Sequence, residues 1–186
     1  PGTGVQTCAL PIWNGYGIYL SESSNNLLQE NRIGGKNDYG IFLSGSENNR
    51  LEDNDIRANR RNFYAAGDND IDRSNRVDGR PIAYLVGASG EVIDSESGAG
   101  VVYCYLCHNV TVRGLTLEDN VYGIYFHNST RSRAEDNLIR DEVDGIRLEG
   151  STGCIIAGNG LNDNEARGIL LTESDGNLVS GNIAAG

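Results

Sequence analysis

Tyr125 and His127 stand two residues apart, Arg147 and Glu149 repeat them twenty-two residues on, and Tyr105 stands twenty-two before His127. On strands that stack at that period they share one outer face, within one or two strand spacings. The set contains what β-elimination or epimerisation of a uronic acid needs: a base in His127 or Tyr125, a neutraliser of the substrate carboxylate in Arg147, and an acid in Glu149 or Tyr105. Charged and hydroxyl side chains are also what any solvated strand face carries, and no long loop flanks these residues to exclude water. A second constellation is aromatic. Tyr19, Phe42, Tyr103 and Tyr125 fall in one column with Arg147 and Leu170, and Ser21, Ser44, Tyr105, His127, Glu149 and Thr172 fall in the next. Rings beside the column Gly17, Gly40, Gly123, Gly145, Gly168 would border a shallow trough, a platform on which sugar rings stack. Tyr19, Phe42, Tyr103, Tyr105 and Tyr125 are therefore the carbohydrate-binding candidates. The competing role for the same rings is to pair with one another across strands.

The columns follow from a repeat. Gly-Ile-x-Leu/Phe begins at Gly17, Gly40, Gly123, Gly145 and Gly168. Each copy is followed by a serine (Ser23, Ser46, Ser129, Ser151, Ser174) and, eight residues later, by an asparagine (Asn31, Asn54, Asn137, Asn159, Asn182). Apolar residues at i and i+2, separated by Ser, Asn and Gly clusters, give a strand period broken by turns. One such unit cannot bury its inward side chains alone, so units must stack. The expected fold is all-β, a right-handed single-stranded parallel β-helix with three faces and about eight coils of 22–23 residues. Asparagine suits the corners, because it tolerates the left-handed conformation and its carboxamide can bond to its counterpart in the next coil. Residues 14–186 form one domain, with an irregular stretch at 58–98 where the repeat degenerates around Asn75-Arg76-Val77.

Two metal motifs can be weighed against this frame. Cys104-Tyr105-Leu106-Cys107-His108 matches the C-x-x-C-H haem attachment pattern. Cys104 takes an inward position of the repeat, however, and Cys107 a serine position, so core thiols are expected, free and unbridged. No methionine is present, and His127 is the one other histidine that could be an axial ligand. Asp68, Asp70 and Asp72 resemble the start of a calcium loop, though the sixth place holds Arg73 and the closing Glu is missing. Calcium is the one cofactor these residues leave open; the default is a solvated acidic turn.

Composition narrows the classes further. The net charge of −11 argues against a phosphate-tracking nucleic-acid binder, and no apolar run is long enough to span a bilayer, so neither nucleic acid nor membrane insertion is expected. Gly4 to Ile12 look like translated sequencing adapter, so residues 1–13 are set aside as a non-native segment. Both ends look cut, which makes the rest of a longer polypeptide an expected partner.

The segments IDRSNRVDGRPIAYLVG and VVYCYLCHNVTVRGLTLEDNVYGIYFHNS resemble the NosD-type right-handed parallel β-helix repeat proteins of archaeal and bacterial envelopes, and the resemblance covers residues 14–186. It implies an extracellular, envelope or periplasmic location. The wider superfamily holds lyases, hydrolases, epimerases, adhesins and copper-accessory proteins alike. The reading expected here is a non-catalytic β-helix module that binds or displays against polysaccharide. One alternative is a lyase or epimerase acting on uronic-acid polymers. The other is a copper-accessory role, for which His108 and His127 with no methionine make a poor ligand supply.

Overall fold

The computed structural model describes residues 14–186; the segment set aside as adapter-derived lies outside them. The chain forms a parallel β-solenoid of about eight turns. A complete coil carries one six-residue strand, such as Tyr16–Ser21, Tyr39–Ser44, Tyr122–His127, Asp144–Glu149 or Arg167–Thr172, and two strands of three residues. Equivalent strands pair in parallel and in the register the repeat demands: Ile18 with Ile41, and Ile124 with Ile146 and then Ile169.

The polar columns are ladders. Asn31 donates from its carboxamide to Asn54 at 2.9 Å, and Asn54 to Asn75 at 2.7 Å. Asn137 and Asn159 continue the pattern at 2.9 and 2.8 Å toward Asn159 and Asn182. The serine hydroxyls accept the backbone N–H of the preceding coil, as Ser151 does from Ser129 at 2.9 Å. These bonds meet polar groups that would cost about 1–3 kcal/mol each if buried unpaired.

The stack does not run straight through the irregular stretch. Asp78 (φ 46°) and Gly79 (φ 79°) form a two-residue turn that sends Arg80–Val86 back antiparallel to Arg76–Val77. Left-handed backbone at both central residues is what such a hairpin requires. Arg80–Val86 then founds a second parallel stack, pairing with Val101–Tyr105 and through it with Tyr122–His127. The isoleucine column accordingly lines two interiors: Ile18 and Ile41 belong to one, Ile124, Ile146 and Ile169 to the other.

The flank of the second stack closes the end of the first. Val101, Tyr103, Tyr105 and Tyr125 face away from their own core and pack with Phe63, Ala65, Ile71 and Val77. Backbone bonds fasten the junction: Val121 N–H to Phe63 O at 3.2 Å and Asn62 N–H to Asp119 O at 2.6 Å. The Tyr105 hydroxyl donates to Ala65 O at 2.7 Å, the Tyr84 hydroxyl to Gly67 O, and Glu165 takes both Arg60 and Arg61. Apolar area withdrawn from water drives this closure. An open solenoid end would otherwise leave Phe63 and Ile71 wet.

Candidate functional site

Burial divides the aromatic column. Tyr19 is 49% exposed and Phe42 is half-buried, whereas Tyr103, Tyr105 and Tyr125 are at 0%, 3% and 4%. The last three were expected to offer ring faces to a sugar and instead plug the junction, so the continuous stripe along one sheet is corrected. The glycine trough is corrected too. Gly40, Gly123 and Gly145 are buried, and a Cβ on Gly123 would meet Ile139 Cγ2 at 2.6 Å and Gly145 O at 2.9 Å. Those glycines bend the strand inward against the next core residue and leave no groove outside.

The same bend creates a different aromatic surface. At the Gly17, Gly40 and Gly123 steps the residue before the glycine lies on the outer face and meets the residue three places on. Tyr16 stacks on Tyr19 with centroids 4.5 Å apart, Tyr39 meets Phe42 at 4.9 Å, and Tyr122 meets Tyr125 at 5.2 Å. Tyr64, from strand Arg61–Ala65, extends the column beneath Phe42 at 4.5 Å and reaches Tyr122 of the second stack at 5.6 Å. Tyr19, Phe42, Tyr64 and Tyr122 thus form a row that turns the corner between the stacks. It ends under the Arg147 guanidinium, 5.1 Å from the Tyr122 centroid. Burial raises the Tyr64 phenol above its ordinary range and brings Tyr122 to about 12, so both stay protonated and neutral.

The ionic cluster foreseen at the end of this row does come together, in a particular state. The Tyr125 hydroxyl donates to Glu149 Oε2 at 2.9 Å and lies 3.0 Å from His127 Nδ1. The Asn128 amide lies 3.0 Å from His127 Nε2, so with Nε2 accepting, Nδ1 carries the proton and gives it to the Tyr125 oxygen. Arg147 donates to the same Glu149 Oε2 from Nη2 at 2.9 Å and Nε at 3.2 Å. Its Nη1 lies 3.7 Å from Asp144, which is itself paired with Arg167 at 3.1 Å. Desolvation pushes the Glu149 carboxyl up, but the bonds from Arg147 and Tyr125 outweigh it and hold the group below its usual range. Burial, with the bond to Glu149, lifts the Tyr125 phenol far above its ordinary range. The imidazole lone pair, the phenol proton and the guanidinium charge are all engaged within the cluster. Abstraction of a sugar α-proton would need His127 or Tyr125 as a free base, with Arg147 unpaired to receive a carboxylate.

The metal motifs fall elsewhere. Cys104, Cys107 and Cys154 are buried and free. Cys104 stands in the core column between Leu85 and Phe126. Cys107 takes a serine place in the ladder: its backbone N–H donates to Ser129 Oγ at 3.2 Å and its thiol to Tyr105 O at 3.4 Å. Burial raises the Cys104 thiol well above its ordinary range. His108 lies in a surface column with Ser89 and Thr130, apart from His127. Asp68, Asp70 and Asp72 do not form a cage: Asp70 faces Arg50 at 3.8 Å, and Asp72 caps its own turn through Ser74 N–H at 3.0 Å. Among the described residues no group of three His, Cys, Asp or Glu side chains converges as a metal site. Nor is any helix among them long and apolar enough to cross a membrane.

A family model described as periplasmic copper-binding protein (NosD) matches residues 11–79 and 71–186. No curated protein and no solved structure matches the chain.

Proposed function

The chain belongs to the NosD family, and from that premise we propose that it is a rigid, non-catalytic β-helix module of the cell envelope that binds polysaccharide along its aromatic row. The observation that carries this reading is the run of neighbouring rings from Tyr19 through Phe42 and Tyr64 to Tyr122, with centroids between 4.5 and 5.9 Å apart at each step. Rings held near strand spacing by hydrogen-bonded stacks offer an extended ligand sites already in place, so little ordering cost opposes binding. The family's description as periplasmic supports a place in the envelope. Its description as copper-binding finds no counterpart in the donors here. Copper favours converging imidazole, thiolate or thioether ligands. Among the described residues the thiols are turned into the core and the histidines lie on separate faces. These residues do not fit copper, and no step is assigned to it.

Isothermal titration with neutral and acidic hexasaccharides tests the proposal. Tyr19→Ala and Phe42→Ala should each weaken binding about tenfold, since loss of one stacked ring costs on the order of 1–2 kcal/mol. Thermal stability should stay unchanged for Tyr19→Ala, whose ring is half in water. Undiminished affinity in both variants removes the row as a binding surface.

A further inference from the structure

Two asparagines stand in the Asn-x-Thr pattern that accepts N-linked glycans: Asn109-Val110-Thr111 and Asn128-Ser129-Thr130. The ladder asparagines spend their carboxamides inside the stack, as Asn137 does on Val112 O and Asn159 Oδ1. Asn109 does not. It turns a corner at φ 53°, just before the strand Thr111–Arg113. Val110 is wholly buried, while Asn109 is exposed and Thr111 half-buried on the outer surface. Asn109 and Thr111 bond through their backbone N–H groups, to Thr130 O and Glu91 O at 2.9 Å each, and among the described residues neither side chain has a partner. One coil earlier the same corner place is Gly90, where an added Cβ would meet no atom within 4 Å, so the space beside Asn109 is open.

Asn128 is placed differently, although it too is exposed. Its carboxamide nitrogen donates to His127 Nε2 at 3.0 Å, and its Oδ1 fills the place that a Cβ on Gly150 would take. The hydroxyl that completes its triplet, on Thr130, lies 2.9 Å from His108 Nδ1. A sugar on the Asn128 nitrogen would have to share the space between the His127 ring and the Gly150 turn.

We propose that Asn109 is an N-glycosylation site of the exported protein and that the fold excludes a glycan at Asn128. The donor is a lipid-diphosphate-linked oligosaccharide, and a separate transferase carries out the step. The Asn109 Nδ2–C1 bond forms as the bond from C1 to the diphosphate oxygen breaks; the lipid diphosphate leaves with the electron pair, and the amide nitrogen gives up one proton. Thr111 supplies the hydroxyl that the acceptor pattern requires. Because the fold uses only the backbone of Asn109, the glycan extends into solvent and leaves the corner as it is. The site needs the envelope location of the proposed function and not its polysaccharide binding.

Expression behind a secretion leader in a eukaryotic host, whose secretory pathway performs this transfer, tests the site by glycopeptide mapping of the secreted and the cell-retained chains. Secreted protein should carry a glycan on Asn109 in most molecules, and on Asn128 at about one-tenth of that occupancy or less. Asn109→Gln and Thr111→Val should each remove the glycan mass from the secreted protein, and Asn128→Gln should leave it in place. Enzymatic removal of the glycan should not move the thermal midpoint. Secreted, folded protein bare at Asn109 would overturn the site, and equal occupancy at Asn128 would overturn the exclusion. Retention of Asn128→Gln in the cell, where the double variant with Asn109→Gln is secreted, would show that the fold rejects a glycan at Asn109 and would equally overturn it. Saccharide titration of the deglycosylated protein reports on the aromatic row separately, so either reading can fail alone.

Discussion

Glu142 occupies a place that the ladder otherwise gives to asparagine, and replacing it by glutamine is a sharp test of the ladder's physics. The column reads Asn120, Glu142, Asn164 in the second stack. Asn120 N–H donates to Glu142 Oε2 at 2.6 Å, and Glu142 N–H to Asn164 Oδ1 at 3.2 Å. In neighbouring rungs the carboxamide nitrogen also gives a hydrogen to a carbonyl one coil back, as Asn164 does to Ile139 O at 3.4 Å and Asn159 to Ala134 O at 2.9 Å. A carboxylate has no hydrogen to give. Glu142 is fully buried and its Oε1 has no partner. Burial accordingly raises its pKa well above the ordinary carboxylate range, with Asp119 adding to the rise and Asn120 and Arg61 opposing it. Because the folded value lies above the unfolded one, near 4.3, the native state binds the extra proton. That contribution is complete at acid pH and is lost as pH rises through the folded value. Glu142→Gln supplies the missing donor at every pH. It should stabilise the protein by about 1–3 kcal/mol at neutral pH, the cost of one unsatisfied buried group. At about 2–4 °C per kcal/mol for a domain of this size, the midpoint should rise by several degrees. Thermal melts followed by circular dichroism from about pH 5 to pH 8 should show the parent losing stability toward high pH and the variant nearly level. A destabilised variant at neutral pH would mean that Glu142 works as a carboxylate paired with Arg61, and the ladder argument would fail.

Two further predictions concern the junction. Tyr103 is wholly buried and its hydroxyl has no partner, so Tyr103→Phe should hold or gain up to about 1–2 kcal/mol, whereas Tyr103→Ala should lose about 3–5 kcal/mol in urea denaturation; a phenylalanine as damaging as alanine would show that the hydroxyl matters. Gly79→Val places a β-branched residue at φ 79° with no atom within 4 Å of the new Cβ, so the loss of about 1–2 kcal/mol should come from backbone strain alone, read as a lower urea midpoint at constant slope.

Within a stack, the sequence carried almost everything. A register that puts identical residue types one above another at a fixed period leaves a single solution, and the paired isoleucines, the serine ladder and the asparagine ladder all follow from it. Residues just outside the recurring motif were harder to see. Tyr16, Tyr39 and Tyr122 each precede the glycine, and strand alternation assigns them to the core side with Ile18, Ile41 and Ile124. The bend at the glycine turns them out instead, into contact with Tyr19, Phe42 and Tyr125. The signal was present as Tyr-Gly-Ile in three coils, but its meaning depends on a backbone kink that periodicity alone does not encode. Glu142 was hidden for a related reason, since one acid among asparagines reads as surface until its neighbours in the ladder are known.

The decisive local feature is Asp78-Gly79. Between an extended segment ending at Val77 and another beginning at Arg80, an Asp-Gly pair is a strong short-range hairpin signal, and a reversal there forbids the next coil from stacking on the last. Once the chain turns back, the end of the first stack must be closed by something other than another rung, and the nearest apolar surface is the outer face of the second stack. That face carries Tyr103, Tyr105 and Tyr125, the rings an uninterrupted rod would have displayed to solvent. The hairpin therefore decides which aromatics become plug and which remain platform. It also brings Tyr64 of one stack against Tyr122 of the other, joining two short columns into a row. A ligand lying there would touch both stacks at once, so occupancy of the row and integrity of the junction are coupled, and a saccharide that binds should raise the midpoint of the Gly79→Val variant as well as that of the parent.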